Sequence, residues 1–188
     1  MRVVGGRFRG RALAAPQHEG LRPTSDRVRE SVFNILLHGV ADFSLGGLRV
    51  IDLFAGTGAL GIEALSRGAA YCLFVEEAAE ARALIRTNVE ALGLTGATRI
   101  FRRDATDLGP AGNMEPYGLA FLDPPYGQGL GEAGLIALRD GAWLLPRAVV
   151  VLEERESAAV TLPEGFTEID RRSWGDTQAV FGRFERTG

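Results

Sequence analysis

Three groups of residues in this chain have types and spacings that could do chemistry at one site. The first is Asp52 with the loop behind it, Phe54-Ala55-Gly56-Thr57-Gly58-Ala59-Leu60-Gly61. Gly56 and Gly58 allow backbone geometries and close approaches that a Cβ would block. A helix beginning just past them turns its free N–H groups toward whatever lies over the loop. Asp52 sets a carboxylate beside the same spot. The second group is Glu76, which ends the apolar run Tyr71 to Val75. A carboxylate there suits a pair of ribose hydroxyls. The third is Asp123-Pro124-Pro125-Tyr126, directly after the apolar run Leu119 to Leu122.

The glycines alone do not choose a ligand. Gly56 to Gly61 fits the G-x-G-x-x-G dinucleotide fingerprint, and Glu76 lies near the ribose position of that pattern. A nicotinamide-dependent oxidoreductase is therefore one reading. Asp52 weighs against it, because a carboxylate at the loop repels a pyrophosphate. The same carboxylate attracts the ammonium and sulfonium of S-adenosylmethionine. The Asp-Pro-Pro-Tyr turn adds to the second reading. Two prolines lock it and remove two N–H donors. The Asp123 carboxylate and the Pro124 carbonyl remain as acceptors, Pro125 holds the turn, and Tyr126 offers a flat face. Acceptors beside a stacking ring suit a flipped base with an exocyclic amine. Taken alone, the turn also reads as a rigid acidic surface loop with a packing tyrosine.

The elements that must position these residues follow from periodicity. Leu48 to Leu53 reads as a buried strand, Ala59 to Arg67 as a helix and Tyr71 to Val75 as a second strand. Ala78 to Leu92 is helical, with Ala81, Leu84, Ile85, Asn88 and Leu92 on one side, and Gly93 stops it. Thr98 to Phe101 is a third strand, followed by Asp104-Ala105 at its end. The fourth strand ends at Asp123, where open α/β sheets place their chemistry. A glycine-rich segment, Gly127 to Gly134, follows, then a helix near Leu135 to Leu138. Ala148 to Leu152 is a fifth, buried parallel strand. Phe166 to Arg172 and Ala179 to Phe184 alternate and form a closing antiparallel hairpin across Ser173 to Asp176. No internal repeat is present.

The front of the chain reads differently. Arg2 to Val4 and Arg7 to Leu13 flank Gly5-Gly6, a hairpin signal. On a strand Arg7, Arg9 and Arg11 would share one face and form a row of phosphate contacts; an ordinary solvated edge would look the same. Ala14 to Leu21 reads as a linker, with His18 incidental. Pro23-Thr24 starts a helix with Thr24 or Ser25 as N-cap and Val28, Val32, Ile35 and Leu36 as its apolar stripe. Arg22, Arg27 and Arg29 are left for its exposed side, for cofactor or for RNA. His38 sits at the helix end as a cap.

Length and composition set limits. With 188 residues and 46% apolar content, the chain is one domain able to bury a core. We divide it into a basic extension, residues 1–22, and a catalytic core, residues 23–188. No segment resembles a signal peptide and none approaches the roughly 20 apolar residues of a membrane span, so a soluble, cytoplasmic, monomeric protein is expected. A lone Cys72 excludes an internal disulfide and a cysteine metal cluster, and no metal site is visible. The net charge of −3 by itself argues against nucleic acid. Its distribution does not, because the first thirty residues hold seven of the 21 basic residues, all arginine.

Together the glycine loop and the Asp-Pro-Pro-Tyr turn resemble the amino-methylating class of S-adenosylmethionine-dependent methyltransferases. The front of the chain narrows this. Met1 to Arg11 and Leu21 to Leu36 resemble the RsmD family, bacterial 16S ribosomal RNA guanine-N2 methyltransferases, and the similarity covers nearly the whole chain. The resemblance implies a Rossmann-like class I fold, α/β, with a seven-stranded mostly parallel sheet and an antiparallel C-terminal hairpin. It implies S-adenosyl-L-methionine as cofactor, with Asp52, Phe54, Ala55, Gly56, Gly58, Glu76, Asp104 and Ala105 around it. Asp104 would contact the adenine amine, although a plain turn aspartate fits that position equally well. Asp123, Pro124, Pro125 and Tyr126 would carry the chemistry, and Arg7, Arg9, Arg11, Arg22, Arg27 and Arg29 would meet RNA. The segment with Ser25, Asp26 and Arg29 would lie as a flap near the active site. The family also points to an assembled small ribosomal subunit as substrate. An adenine-N6 methyltransferase of the same fold is the nearest alternative.

Overall fold

In the apolar runs of this chain, successive side chains go to opposite faces of one sheet. Val50, Leu119, Phe121, Val149 and Val151 join one buried cluster, and Ile51, Leu53, Ala120, Leu122, Val150 and Leu152 join a second. Strands buried on both faces need helices on both sides, which is the parallel α/β solution. The computed structural model describes residues 1–17 and 24–185. Its strands are β1 (Arg49–Leu53), β2 (Tyr71–Val75), β3 (Thr98–Phe101), β4 (Tyr117–Leu122), β5 (Leu144–Arg155), β6 (Phe166–Trp174) and β7 (Thr177–Phe184). The helices are α1 (Asp26–His38), α2 (Ala59–Ser66), α3 (Ala79–Ala91) and α4 (Leu130–Asp140).

The strand order is β3-β2-β1-β4-β5-β7-β6. The first five strands are parallel, and β7 pairs antiparallel with both β5 and β6. The order reverses between β1 and β4, so their carboxyl ends flank the crevice where such sheets bind ligands. Asp52↔Phe121 and Leu53↔Leu122 are in register. That register brings the glycine loop and the Asp-Pro-Pro-Tyr turn to the same edge. α1, α2 and α3 cover one face, and α4 with Trp143 covers the other. Gly61 lets α2 lie close on the sheet: a Cβ there would stand 2.5 Å from the Phe74 ring and 2.6 Å from Cys72 Sγ. Cys72 is fully buried, and that burial pushes its thiol up, which suits a core residue.

The expected seven-stranded sheet with its antiparallel end is present. The fifth strand runs longer than Ala148 to Leu152, because Glu153, Glu154 and Arg155 continue its ladder against β7. The closing hairpin also runs on to Trp174↔Thr177, leaving Gly175-Asp176 as a two-residue turn, with Gly175 at φ 59°. α4 is longer than its expected core and begins at Leu130 behind Gly129 in a left-handed conformation. Ser25 caps α1, its hydroxyl accepting from the Val28 N–H at 3.2 Å.

The front of the chain departs from expectation. Gly6–Phe8 form a 3-10 turn rather than a strand, and only Arg2↔Ala12 make a β-bridge. Arg7, Arg9 and Arg11 are exposed, but they do not alternate on one strand face. The physical reason is packing. Val3 and Leu13 are buried in the core, and the intervening loop is held to α2. Ser66 Oγ accepts from the Phe8 N–H at 3.0 Å and donates to the Gly5 carbonyl at 2.6 Å. Arg7 lies over the Phe8 ring at 4.6 Å, and Arg11 donates to the Ala91 carbonyl at 3.0 Å.

Arg29 is a second correction. It is fully buried, so it offers no surface to RNA. Its Nε lies 3.3 Å from Glu63 Oε1 in the middle of α2 and its Nη2 2.8 Å from Asp26 Oδ1. It also donates to the Arg2 carbonyl and, at 3.4 Å, to the Thr24 carbonyl. Glu63 accepts in addition from the N–H groups of Val4 and Gly5 at 2.9 and 2.8 Å and from Arg67 at 2.8 Å. Removing one partner of a buried pair strands the other and costs about 3–5 kcal/mol. Arg29→Met is therefore expected to lower unfolding free energy by about that much in urea titration. A loss below about 1 kcal/mol, the surface-pair range, would show that the pair does not anchor α1 to α2.

Candidate active site

One cavity of about 910 Å³ opens at the carboxyl ends of the parallel strands. It brings together Asp52, Phe54, Ala55, Gly56, Glu76, Asp104, Ala105, Asp123, Pro124, Pro125 and Tyr126. Each group sits there for a local reason. Asp52 is the second-last residue of β1 and points to the α2 side. Its Oδ2 accepts from the Gly61 N–H at 3.1 Å, an otherwise unpaired donor of the first helical turn. Its Oδ1 is buried and has no partner. Burial is the main cause holding the Asp52 carboxyl well above its ordinary range; the Gly61 bond opposes this, and Asp123 and Glu76 add to the rise.

The glycine loop is strained where it faces the cavity. Phe54 stands at φ 56°, Gly56 at 59° and Gly58 at 80°. A left-handed Phe is unusual and costs of order 1–3 kcal/mol, the kind of strain that gathers at ligand clamps. A Cβ on Gly56 would meet no protein atom closer than the Phe54 carbonyl at 4.0 Å, whereas one on Gly58 would press on Phe74 and Ile85. Gly58 thus serves packing, and Gly56 leaves open space over the loop. Glu76 fixes the loop from below: Oε1 accepts from Gly56 N–H at 2.8 Å and Oε2 from Ala78 N–H at 2.9 Å.

Asp104 settles as a turn aspartate that also lines the cavity. Its Oδ1 accepts from the Thr106 hydroxyl at 2.7 Å and the Thr106 N–H at 2.8 Å, and these bonds hold its carboxyl below the usual value. Asp123 follows β4 and is pushed up to about 6, mainly by burial. The Thr24 hydrogen bond and the neighbouring Glu153 carboxyl pull it down, and the nearby Glu154 charge pushes it up. The Tyr126 hydroxyl reaches Thr177 Oγ1 at 3.4 Å, tying the turn to the β6–β7 hairpin.

Sequence reasoning missed several lining residues. Glu153 is the clearest: it is 2% exposed, ends the apolar run of β5 and faces the cavity. Its signature, an acid closing an apolar strand, is the one already used for Asp52 and Glu76. Thr24, read as a possible cap, instead places its hydroxyl 2.8 Å from Asp123 Oδ2 and 3.1 Å from Glu153 Oε2. Glu154 Oε1 accepts from the Gly127 N–H at 3.0 Å and steadies the loop after the turn. Trp174, Asp176 and Thr177 reach the cavity from the hairpin, and Arg103 and Arg155 line it as well. Arg27 is exposed on α1. Arg22, His18 and Pro23 lie outside the described residues. Among the described residues no group of His, Cys, Asp and Glu is placed to hold a metal ion, and no helix is long and apolar enough to cross a membrane.

A sheet of this order, with a glycine loop after β1, an acid after β2 and an acceptor turn after β4, defines a Rossmann-like class I methyltransferase. The family model described as "Conserved hypothetical protein 95" matches residues 1–183. The chain belongs to that family, the RsmD family of methyltransferases. It is 38% identical over 169 residues to Ribosomal RNA small subunit methyltransferase D of Escherichia coli K12, covering 89% of this chain and 81% of that protein. The protein of the same name from Haemophilus influenzae is 32% identical over 177 residues, covering 93% and 89%. A solved structure of yhhF, a candidate methyltransferase from Escherichia coli, superposes with a TM-score of 0.83 at 30% identity. It covers 100% of this chain and 99% of that one.

Asp52 carries a stability cost that can be measured. Its folded-state carboxyl titrates above its unfolded value, so ionisation opposes folding. The penalty is absent below the ordinary value of 3.8, where both states are protonated, and grows as pH rises through the folded value. Asp52→Asn keeps an acceptor for Gly61 and removes the charge. Its melting temperature should exceed that of the parent at pH 8 by a few degrees, at about 2–4 °C per kcal/mol for a chain this long. The gain should shrink toward pH 4. A pH-independent difference in scanning calorimetry would show that Asp52 is not a buried charge.

Proposed function

We propose that this chain transfers a methyl group from S-adenosyl-L-methionine to the exocyclic N2 of a guanine in 16S ribosomal RNA, with the small ribosomal subunit as its substrate. The carrying observation is that one cavity holds the glycine loop with an unpartnered Asp52 oxygen together with the half-buried Asp123 of the Asp-Pro-Pro-Tyr turn. The names of the relatives, small-subunit ribosomal RNA methyltransferases, support the substrate class.

The residues suit the cofactor. The unpaired Asp52 oxygen and the open space above Gly56 fit the cationic amino acid end, and Glu76 and Asp104 fit the ribose and the adenine edge. The cofactor supplies the methyl group and leaves as a neutral thioether carrying the sulfur–carbon electron pair. The protein aligns the acceptor. Guanine N2 is a poor nucleophile because its lone pair is delocalised into the ring. Asp123 and the Pro124 carbonyl accept the amine hydrogens and turn the lone pair toward the methyl group, while Tyr126 holds the base face. Alignment of this kind is worth roughly 7–11 kcal/mol, so no strong base is needed. Guanine places two donors, N1–H and N2–H, side by side, and an ionised, acceptor-only carboxylate takes both. Adenine places an acceptor next to its amine, which a carboxylate disfavours.

The test labels undermethylated small subunits with methyl-tritiated cofactor and separates the nucleosides after digestion. N2-methylguanosine is the expected product; N6-methyladenosine would refute the reading. Asp123→Ala should lower kcat by about 10²–10³, the usual cost of one preorganised polar group, and leave S-adenosylhomocysteine affinity close to normal. Collapsed affinity in a folded variant would reassign Asp123 to the cofactor.

Exposed Arg7, Arg9 and Arg27 extend this reading to the RNA backbone, beside Arg11. Replacing Arg7, Arg9 and Arg11 with alanine should weaken RNA binding and reduce its salt slope by about one unit per lost phosphate contact. An unchanged slope would leave these side chains as solvated surface.

A further inference from the structure

Thr24 Oγ1 lies 2.8 Å from Asp123 Oδ2 and 3.1 Å from Glu153 Oε2. A hydroxyl carries one hydrogen, and an ionised carboxylate has none to give. Thr24 therefore donates to one acid and must accept from the other. One proton on the Asp123–Glu153 pair satisfies this arrangement. Glu153 is buried, at 2% exposure, with Oε1 unpartnered, and Asp123 is half-buried. Two bare carboxylates bridged by one hydroxyl would repel.

We propose that Glu153 is a positioning residue for methyl transfer: it holds the shared proton and donates it to Thr24, whose hydroxyl donates to Asp123, so that Asp123 meets the amine as an ionised acceptor. This deepens the methyltransferase reading and rests on it. The assignment of the proton follows the surroundings. Facing Glu153 are Asp123 from the β4 turn and Asp52 from β1, with Arg29 from α1 as the compensating charge. Burial and the two aspartates drive its carboxyl well above the ordinary range, against the pull of Thr24 and Arg29. Asp123 faces Thr24, Glu153, Glu154 and Asp52 and is raised to about 6, mainly by burial; Glu153 takes the proton because it is the more deeply buried of the two. Glu76, Arg155 and Asp176 lie on the same cavity wall. During transfer the N2–carbon bond forms as the sulfur–carbon bond breaks, and one amine proton passes to the Asp123 carboxylate and from there to solvent. Glu153 keeps its own proton throughout.

A glutamine keeps the donor that the proposal assigns to Glu153; a leucine does not. Glu153→Gln should retain kcat/KM within about threefold of the parent at pH 8, with the acid limb of the pH profile unmoved near 6. Glu153→Leu and Thr24→Val each remove a bond that favours ionised Asp123. Their acid limbs should move up by about one pH unit, so activity falls about fivefold at pH 6 and recovers as pH rises. A merely structural role would lower activity at every pH and leave the limb in place. In the unliganded protein, ¹³C NMR of labelled glutamate side-chain carboxyls should show one protonated carboxyl at pH 7.5 that disappears in Glu153→Gln. The proposal is overturned if Glu153→Gln, folded and binding S-adenosylhomocysteine, is as inactive as Asp123→Ala. It is equally overturned if Glu153→Leu matches the parent at all pH values, or if NMR finds both acids ionised. Because the NMR arm uses neither RNA nor cofactor, it decides on the proton even if the labelled nucleoside refutes guanine N2.

Discussion

The site depends on a buried ion pair some distance from the chemistry. Arg29 and Glu63 have fully buried side chains, so neither can be solvated and each must be satisfied by protein. Arg29 does this by holding α1 to α2 through Glu63 and by binding the carbonyls of Arg2 and Thr24. Glu63 does it by taking two N–H groups of the front loop. One node therefore sets three elements: the extension, the start of α1 and the glycine-loop helix. The Thr24 carbonyl is fixed by Arg29 while its hydroxyl stands between Asp123 and Glu153. A contact that would be worth little on the surface thus places the group that bridges the two acids.

The second constraint is charge. A parallel sheet ends all its strands at one edge, and here four of the five parallel strands carry a carboxylate at or next to that end: among them are Asp52 on β1, Asp123 after β4 and Glu153 on β5. Glu76 follows β2 in the same way. Burial of so many acids is unfavourable unless each is bonded, paired or protonated. Backbone N–H groups bond both oxygens of Glu76 and one of Asp52. Thr24 takes Asp123. What remains unsatisfied, Asp52 Oδ1 and Glu153 Oε1, faces the cavity, where bound ligands would supply cations and donors.

Most of this was legible in the residues. Val50 to Gly61, the Tyr71–Val75 strand with Glu76 and the Asp-Pro-Pro-Tyr turn carry local signals: apolar runs closed by an acid, and glycines or prolines just beyond. Their juxtaposition follows from parallel topology alone. Arg29 was illegible because its fate is decided by Glu63, 34 positions away, and an arginine on a helix reads by default as exposed. The row Arg7, Arg9 and Arg11 failed for a related reason. Met1 to Val3 and Arg11 to Leu13 do pair antiparallel, but Ser66 and Glu63 on α2 take the N–H groups of Val4, Gly5 and Phe8 between them, so the loop carrying Arg7 and Arg9 is not a strand. Glu153 was missed because the β-branched run ends at Leu152, whereas pairing with β7 carries the strand through Arg155.

The same charge arithmetic bears on how an acidic chain could meet a polyanion. A net charge of −3 gives no attraction to RNA, but fields act locally, within about 8 Å at physiological salt. Several acids line the cavity, Asp52, Glu76, Asp123 and Glu153 among them, and most of their oxygens are bonded to N–H groups or to Thr24. The arginines sit on the outside: Arg7 and Arg9 on the front loop and Arg27 on α1 are exposed, and Arg103 and Arg155 stand on the cavity wall. In the proposed complex, a backbone phosphate approaching from the α1 side would meet guanidinium groups first, and only the neutral base would enter the acidic pocket. Separating the two signs by depth lets one short chain hold an anionic acceptor for an amine without repelling the strand that carries it.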